Sequence, residues 1–209
     1  MELLPLGHAS FKLRGKTATV VTDPFDEKKM GIKFPKSLEA DIVTVSHDHF
    51  DHNAVAAVGG SPFLIKGPGE YEIKGVSVIG VASFHDEKEG AERGRNTMYR
   101  IEIDGVKIGH LGDLGHVLSS SQVDTLDGID VLLVPVGGVY TIDAEKAAQV
   151  IADIEPRIVV PMHYQLSNKE LAPVDAFLKV MNKGEIAPVP KLVISRDKLP
   201  AEMQVVVLE

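Results

Sequence analysis

The chain contains no cysteine, which excludes disulfides and thiolate metal ligands and leaves the redox compartment open. It has no apolar run approaching the roughly 18 residues that a membrane-spanning helix needs. It also lacks an excess of basic residues. The formal charge of −8 and pI near 5.5 argue against a sequence-independent nucleic-acid binder, which needs a basic face. The opening stretch Met1 to His8 has neither the basic leader nor the long apolar core of a signal peptide. No Pro/Gly-rich linker is present either, because the 19 Gly and 12 Pro are spread along the chain. The expectation is one domain over residues 1–209, in the cytoplasm, with no membrane or nucleic-acid partner and an oligomeric state the sequence leaves open. With 44% hydrophobic residues, that domain can bury a substantial core.

What is present is concentrated in one place. Asp41-Ile42-Val43-Thr44-Val45 reads as a buried strand, and Ser46-His47-Asp48-His49-Phe50-Asp51-His52-Asn53 follows directly. Extended geometry sends His47, His49 and Asp51 to one side and Asp48 and Phe50 to the other. His52 joins the first group only if the chain turns there. The pattern offers two imidazoles to one metal, and a carboxylate plus an imidazole to a second. Such ligands suit zinc, with manganese and iron as the other metals the set accepts.

Along the rest of the chain, ligand-type residues recur at strand ends. Phe11–Leu13 and Thr17–Val21 form a hairpin turning at Gly15, ending at Asp23-Pro24. Asp23 is either a turn residue or an acceptor for a ligand imidazole's second N–H. Residues 26–40, with Lys28, Lys29, Lys33 and Lys36, read as a solvated loop. Residues 54–58 allow one or two helical turns. Strands then follow at 62–65, 71–73 and 76–81, the last delivering His85, the third ligand that a His47/His49 site lacks. The mixed-charge stretch 86–97 is either a mobile surface loop or the carrier of an anion anchor, Arg93 or Arg95. Residues 98–103 and 106–108 form a hairpin across Asp104-Gly105. Beyond it lies Asp113, between Gly112 and Gly115, where a carboxylate can bridge two metals. His110 falls within the strand. His116 either lines the cleft or caps a helix beginning near Ser119.

The second half alternates β and α. A strand over 130–136 leads to Tyr140, and a helix follows with Asp143 as N-cap. Its apolar face is Ala144, Ala147, Ala148, Ile151 and Ile154, and Glu155-Pro156 stops it. The strand over 157–162 presents His163 and Tyr164. A helix is expected over 168–184, and strands over 191–195 and 203–208. With Arg93 or Arg95, residues His116, Tyr140 and Tyr164 are candidates for contacting substrate.

The motif His-x-His-x-Asp-His, a later lone His after a strand, Gly-Asp at a strand end and Pro161-Met162-His163 together resemble the metallo-β-lactamase fold superfamily. Leu6-Gly7-His8-Ala9-Ser10-Phe11, Thr22-Asp23-Pro24-Phe25 and Val134-Pro135-Val136-Gly137-Gly138 are similar to the small zinc-dependent hydrolases related to ascorbate-6-phosphate lactonase. The resemblance spans nearly the whole chain. It implies an αββα sandwich: two mixed sheets face to face, helices outside, and a dinuclear cleft along one edge. It also implies that His47, His49 and His85 hold one Zn²⁺, that Asp51, His52 and His163 hold a second, and that Asp113 bridges them. The lack of cysteine departs from the cysteine-zinc site of common β-lactamases, and His49 stands where flavodiiron oxidoreductases carry Glu. The chain length leaves little room for the added domain of the family's nucleases.

The implied activity is hydrolysis of an ester, lactone, thioester or phosphodiester by a metal-bridging hydroxide, with Asp51 orienting it and passing its proton to the leaving group. Two Zn²⁺ against Asp51, Asp113 and the hydroxide leave a charge of about +1 in the cleft, which favours a small anionic substrate. The competing expectation is a non-hydrolytic member of the fold, either an iron-dependent oxidoreductase or a metal-stabilised binding protein.

Overall fold

A computed structural model describes residues 1–166 and 168–209. One sheet has six strands, in the order β12-β1-β2-β3-β4-β5. These are β12 (Leu192–Val193), β1 (Glu2–Gly7), β2 (Ser10–Arg14), β3 (Thr19–Thr22), β4 (Ile42–Val45) and β5 (Phe63–Lys66). The other has seven, β13 (Gln204–Val205), β11 (Ile158–Met162), β10 (Val131–Pro135), β9 (Val106–His110), β8 (Arg95–Ile103), β7 (Val76–Phe84) and β6 (Gly69–Ile73), in that spatial order. Both sheets are mixed. Strands β3-β4-β5 and β9-β10-β11-β13 pair in parallel, and the remaining neighbours are antiparallel.

Period-two alternation explains why the central strands are apolar throughout. Val20, Ile42 and Ile65 of the first sheet pack with Ile101, Ile108, Val131 and Leu133 of the second, forming the core between the sheets. Their neighbours Leu132, Val134 and Val159 face outward and are covered by Ala147, Val150 and Ile151 of α3 (Ala144–Ile154) and Phe177 of α4 (Val174–Val180). On the opposite outer face, Val21, Val43 and Val45 are covered by Phe25, Phe34, Leu38 and Val58. The result is the expected sandwich, with few helices. Among the described residues, no helix is long and apolar enough to cross a membrane.

Local signals account for most boundaries. Asp104 and Gly105 both adopt positive φ, 54° and 75°, as the tight β8–β9 turn requires. The Asp143 side chain caps α3, and Glu155 ends it in the left-handed region. Ser119 and Gln122 form a capping box on α2 (Ser120–Thr125).

Several expectations need correction. The helix expected over 168–184 is confined to α4, because Pro173 sits at its N-cap with extended backbone (ψ 155°) and what precedes it is turn. Residues 26–40 are not merely a solvated loop. They carry α1 (Glu27–Met30), capped by Asp26, and bury Phe34 and Leu38 against the sheet. β1 was not assigned from sequence, and the two C-terminal strands are shorter than expected. Residues 54–58 supply one 3₁₀ turn. On α3 the buried face includes Val150, while Ala148 is only half-buried.

Strand direction places the site. β1 and β3 run the same way through two antiparallel steps, and β4 is parallel to β3. In the other sheet, β7 runs with β9 and therefore with β10 and β11. The chain leaves β1, β3, β4, β7, β9 and β11 toward His8, Asp23, His47–His52, His85, Asp113 and His163 respectively.

Tyr99 of β8 reaches across the interface: its hydroxyl donates to the Val45 carbonyl at 2.7 Å and accepts the Gly67 N–H at 3.1 Å. Tyr99→Phe should therefore lower unfolding free energy by about 1–3 kcal/mol in denaturant titrations, the cost of stranding buried polar groups. A change below about 0.5 kcal/mol would show that this bridge is not holding the sheets.

Candidate metal centre

Each site side chain leaves a rigid strand and then turns sharply inward. His8, Asp23 and His163 have φ of 56°, 41° and 52°, a left-handed backbone that non-glycine residues seldom adopt. Strain of this kind gathers at functional sites, where surrounding structure over-determines it. The approach to Asp113 runs through Gly112 (φ 54°), where a Cβ would lie 2.5 Å from Asn96 Oδ1 and 2.6 Å from Ser46 Cβ. Only glycine fits there. Asn96 holds the turn by accepting the Asp113 N–H and donating to the Leu111 carbonyl.

Asp113 lies at the centre. Its Oδ2 is 3.2 Å from His85 Nε2, 3.2 Å from His163 Nε2 and 3.7 Å from His47 Nε2, while Oδ1 is 3.3 Å from His52 Nε2. Three sets of donors are close enough to share an ion: His47, His49 and His85; His8, Asp51, His52 and His163; and His47, His52 and Asp113. The structure thus brings together all seven residues picked out in the sequence as ligand types. It adds His8, whose Nε2 is 3.4 Å from Asp51 Oδ2.

Buried Asp23 sits behind this cluster. It accepts from His52 Nδ1 at 2.8 Å and from the Ser46 amide and hydroxyl at 2.7 and 2.6 Å. Ser46 Oγ is in turn 2.9 Å from His47 Nδ1. Protons on both Nδ1 atoms satisfy the whole chain of contacts and turn both Nε2 atoms toward Asp113. Of the two sequence readings for Asp23, the acceptor of a ligand imidazole's N–H is the one the geometry matches. No local sequence pattern points to the relay through Ser46.

Charge follows burial. Desolvation, then the neighbouring His163, brings His8 down to about 4. Desolvation and His52 bring His47 down to about 3. Burial works against the charged form of Asp113 as well, but His163 and His52 outweigh it and hold the carboxyl well below its usual range. Burial likewise opposes protonation of His52, yet Asp113 and then Asp23 raise it well above an ordinary imidazole.

A cleft of about 900 Å³ opens above the cluster. Its floor includes His49, Asp51, His85, Asp113 and His163, and its walls include Arg93, Tyr140 and Tyr164. Phe50, expected from strand alternation to face away with Asp48, also lines the cleft, because residues 46–52 are bend and turn and not extended strand. Arg95 is exposed at the first residue of β8 and does not line this cleft. His116 also lies outside it, since its Nε2 accepts the Phe84 N–H and its Nδ1 bonds the Val117 carbonyl. It does not cap α2, which belongs to Ser119. The strand residue His110 is buried and spent on the Ala9 carbonyl at 2.8 Å. His8 was missed as a site residue because its sequence context, Leu6-Gly7-His8-Ala9, has no ligand spacing. Recognising β1, whose end is directed like that of β3, is the signal that would have found it.

Two face-to-face mixed sheets with a histidine and aspartate cluster at their strand ends define the metallo-β-lactamase class of fold. Residues 2–163 match the family described as the β-lactamase superfamily domain, and the chain belongs to that superfamily. It is 31% identical over 208 residues to a UPF0173 metal-dependent hydrolase of Thermococcus onnurineus (strain NA1), covering 87% of this chain and 92% of the relative. It is 32% identical over 188 residues to the UPF0173 metal-dependent hydrolase of Thermoplasma acidophilum, covering 78% and 83%. A crystal structure from Thermotoga maritima, assigned as a Zn-dependent hydrolase of the metallo-β-lactamase superfamily, superposes with a TM-score of 0.82 at 39% identity, over 99% of this chain and 97% of that one. The narrower likeness to ascorbate-6-phosphate lactonase is finer than these relatives support.

The neutral imidazoles make a prediction for metal-free protein. An unfolded histidine binds its proton near pH 6.5, whereas His8 and His47 wait until about 4 and 3 in the fold. Between those limits the unfolded chain holds more protons, so stability must fall as pH drops. His52, protonated in the fold throughout this window, adds no opposing loss below about 6.5. The melting temperature of chelator-treated protein should decline steadily from pH 6.5 to 4.5, and His8→Gln should flatten that decline. A flat profile in the wild-type would contradict the neutral state of these imidazoles.

Proposed function

We propose that this chain is a dinuclear metal-dependent hydrolase, with zinc as its metal and a small anionic molecule as its substrate. The observation that carries the reading is the position of Asp113 among four imidazoles, with His47, His85 and His163 around one carboxylate oxygen and His52 at the other. His52 Nε2 and Asp113 Oδ1 face each other at 3.3 Å, yet both are buried without a hydrogen-bond partner. Without a metal only a proton on His52 couples these two atoms, and a bound cation would take that proton's place and satisfy both. Imidazole nitrogen with carboxylate oxygen, and no thiolate, is a donor set that fits zinc, with manganese or iron as alternatives.

On this reading His47, His49 and His85 would hold one ion and Asp51, His52 and His163 the other, with Asp113 within reach of both sets. His8 either completes the second set or donates to Asp51. Bound divalent ions supply Lewis acidity and bring the pKa of water toward about 7. The chain's own residues do the rest. Asp23 and Ser46 fix the tautomers of His52 and His47. Asp51, half-buried at the cleft floor, accepts a proton from the attacking water and returns it to the leaving group. The atoms balance as in any hydrolysis: water oxygen bonds to the carbonyl carbon or phosphorus, the ester, thioester or phosphoester bond breaks, and the proton ends on the departing atom. Two divalent ions against Asp51 and Asp113 leave the floor positive, which supports an anionic substrate.

Elemental analysis of metal-saturated protein should find about two ions per chain, zinc in protein purified without added metal. His49→Ala should lower that occupancy. One ion per chain, iron in place of zinc, or unchanged stoichiometry in the variant would count against the assignment.

A second measurement addresses Asp51. With both ions verified by analysis, Asp51→Asn should lower turnover by roughly 10²–10⁴-fold, the usual worth of general base action. Asp48→Asn is the control, because Asp48 faces outward, paired with Asn53 and Lys66. Near-wild-type turnover in Asp51→Asn would remove it from the chemistry.

A further inference from the structure

The walls of the cleft differ in chemistry. The side contributed by the six-stranded sheet is apolar: Met30, Ile32 and Phe50 line it, with Leu166 and Leu171 completing the surface. Phe50 and Leu166 stand 46% and 45% exposed on this lining. A volume near 900 Å³ exceeds what a small polar anion needs and falls in the range of sites for larger organic ligands.

Arg93 stands on the side contributed by the seven-stranded sheet, and the fold goes to some length to hold it there. Asp86, next to His85 and itself buried, accepts four backbone N–H groups of its own loop. These come from Lys88 and Gly90 on one oxygen, and from Glu92 and Arg93 on the other, at 2.7–3.0 Å. The Arg93 guanidinium then lies 5.9 Å from the Tyr140 ring centroid, and its Nη2 donates to the Val139 carbonyl at 3.1 Å. Val139 adopts φ 54°, an outlier for a β-branched residue. Tyr140 is fixed in turn by its hydroxyl donating to Glu170 at 2.6 Å. Among the described residues no carboxylate is within ion-pair distance of Arg93. Glu92, its neighbour, pairs with Lys88 instead. The guanidinium is positioned, and its remaining donors are unspent. The other cation on the lining, Lys29, lies over the Phe50 ring.

We propose that the cleft takes an amphiphilic acid. Its carboxylate or phosphate is held by Arg93, its apolar chain or ring lies along Ile32, Phe50 and Leu166, and the hydrolysable bond sits between them above Asp51 and Asp113. Asp86 and Tyr140 are positioning residues that act through Arg93. The proposal deepens the hydrolase reading of this site and rests on it for the bond that is cut, whereas the binding pattern can be measured without turnover.

Three probes separate head from tail in calorimetric titrations of metal-saturated protein: decanoate, butyrate with the same head, and decyltrimethylammonium with the same tail and opposite charge. Decanoate should bind at least roughly tenfold more tightly than either of the others. Arg93→Ala should weaken decanoate by about tenfold and leave decyltrimethylammonium unchanged, with Arg93→Lys recovering only part, since a point charge cannot replace the planar fork. Phe50→Ser should weaken decanoate and spare butyrate. Asp86→Asn should weaken decanoate as Arg93→Ala does, without loss of bound metal. No binding of decanoate, equal binding of the two ten-carbon probes, or decanoate binding that survives Arg93→Ala would overturn the proposal. So would a loss as large in Lys29→Ala. Failure of the hydrolase reading has a different signature: the expected binding pattern holds, but no chromogenic ester, thioester or phosphodiester is turned over by protein with both ions verified.

Discussion

A buried carboxylate facing four imidazoles is the constraint around which the rest is arranged. Asp113 has almost no contact with solvent, and an ionised carboxylate in that setting persists only when opposite charge compensates it. Protonated His52 provides part of that compensation. The depressed affinities of His8 and His47 for protons show that the other imidazoles do not all follow. Neutral lone pairs converging on an anion are what a cation requires and what protein alone satisfies poorly. Asp23, Ser46 and Asn96, each hydrogen-bonded to a site residue or its backbone, keep that convergence in register.

The two sheets make the convergence possible. Each contributes strand ends to the same edge, so groups far apart in the chain meet at ligand distance, and the Tyr99 bridge from β8 to the end of β4 ties the sheets next to the site. His110 does the same by bonding Ala9 in the turn that carries His8. The left-handed backbone at His8, Asp23 and His163 is the local cost of turning side chains inward immediately after a strand. Packing on both outer faces, by α3 and α4 on one and by the Phe25–Leu38 cluster on the other, offsets it.

Above the metal floor the cleft is assembled from loops, and there residue type alone misleads. Arg93 and Arg95 are equally plausible anchors as residues, yet strand β8 begins at Arg95 and carries it away, while the Asp86 turn retains Arg93. His116, similar in kind to the ligand histidines, is occupied by backbone partners outside the cleft. The lysine-rich stretch after Pro24 looks solvated because its apolar residues are few, but Phe34 and Leu38 close the outer face and Met30 and Ile32 reach the cleft.

The sequence by itself determined most of the strands other than β1 and the ligand types, because period-two apolar runs and the spacing His47-x-His49-x-Asp51-His52 are properties of local chain geometry. His85, Asp113 and His163 were legible for the same reason, each lying just beyond an apolar run. Only the tertiary structure decided that His8 joins them, that Asp23 and Ser46 set the imidazole tautomers, and that Arg93 and not Arg95 or His116 faces the cleft. Those outcomes depend on which strands pair and in which direction. Pairing is settled by contacts between residues a hundred or more positions apart, such as His110 with Ala9 and Glu2 of β1 with Val193 of β12, which no local pattern encodes.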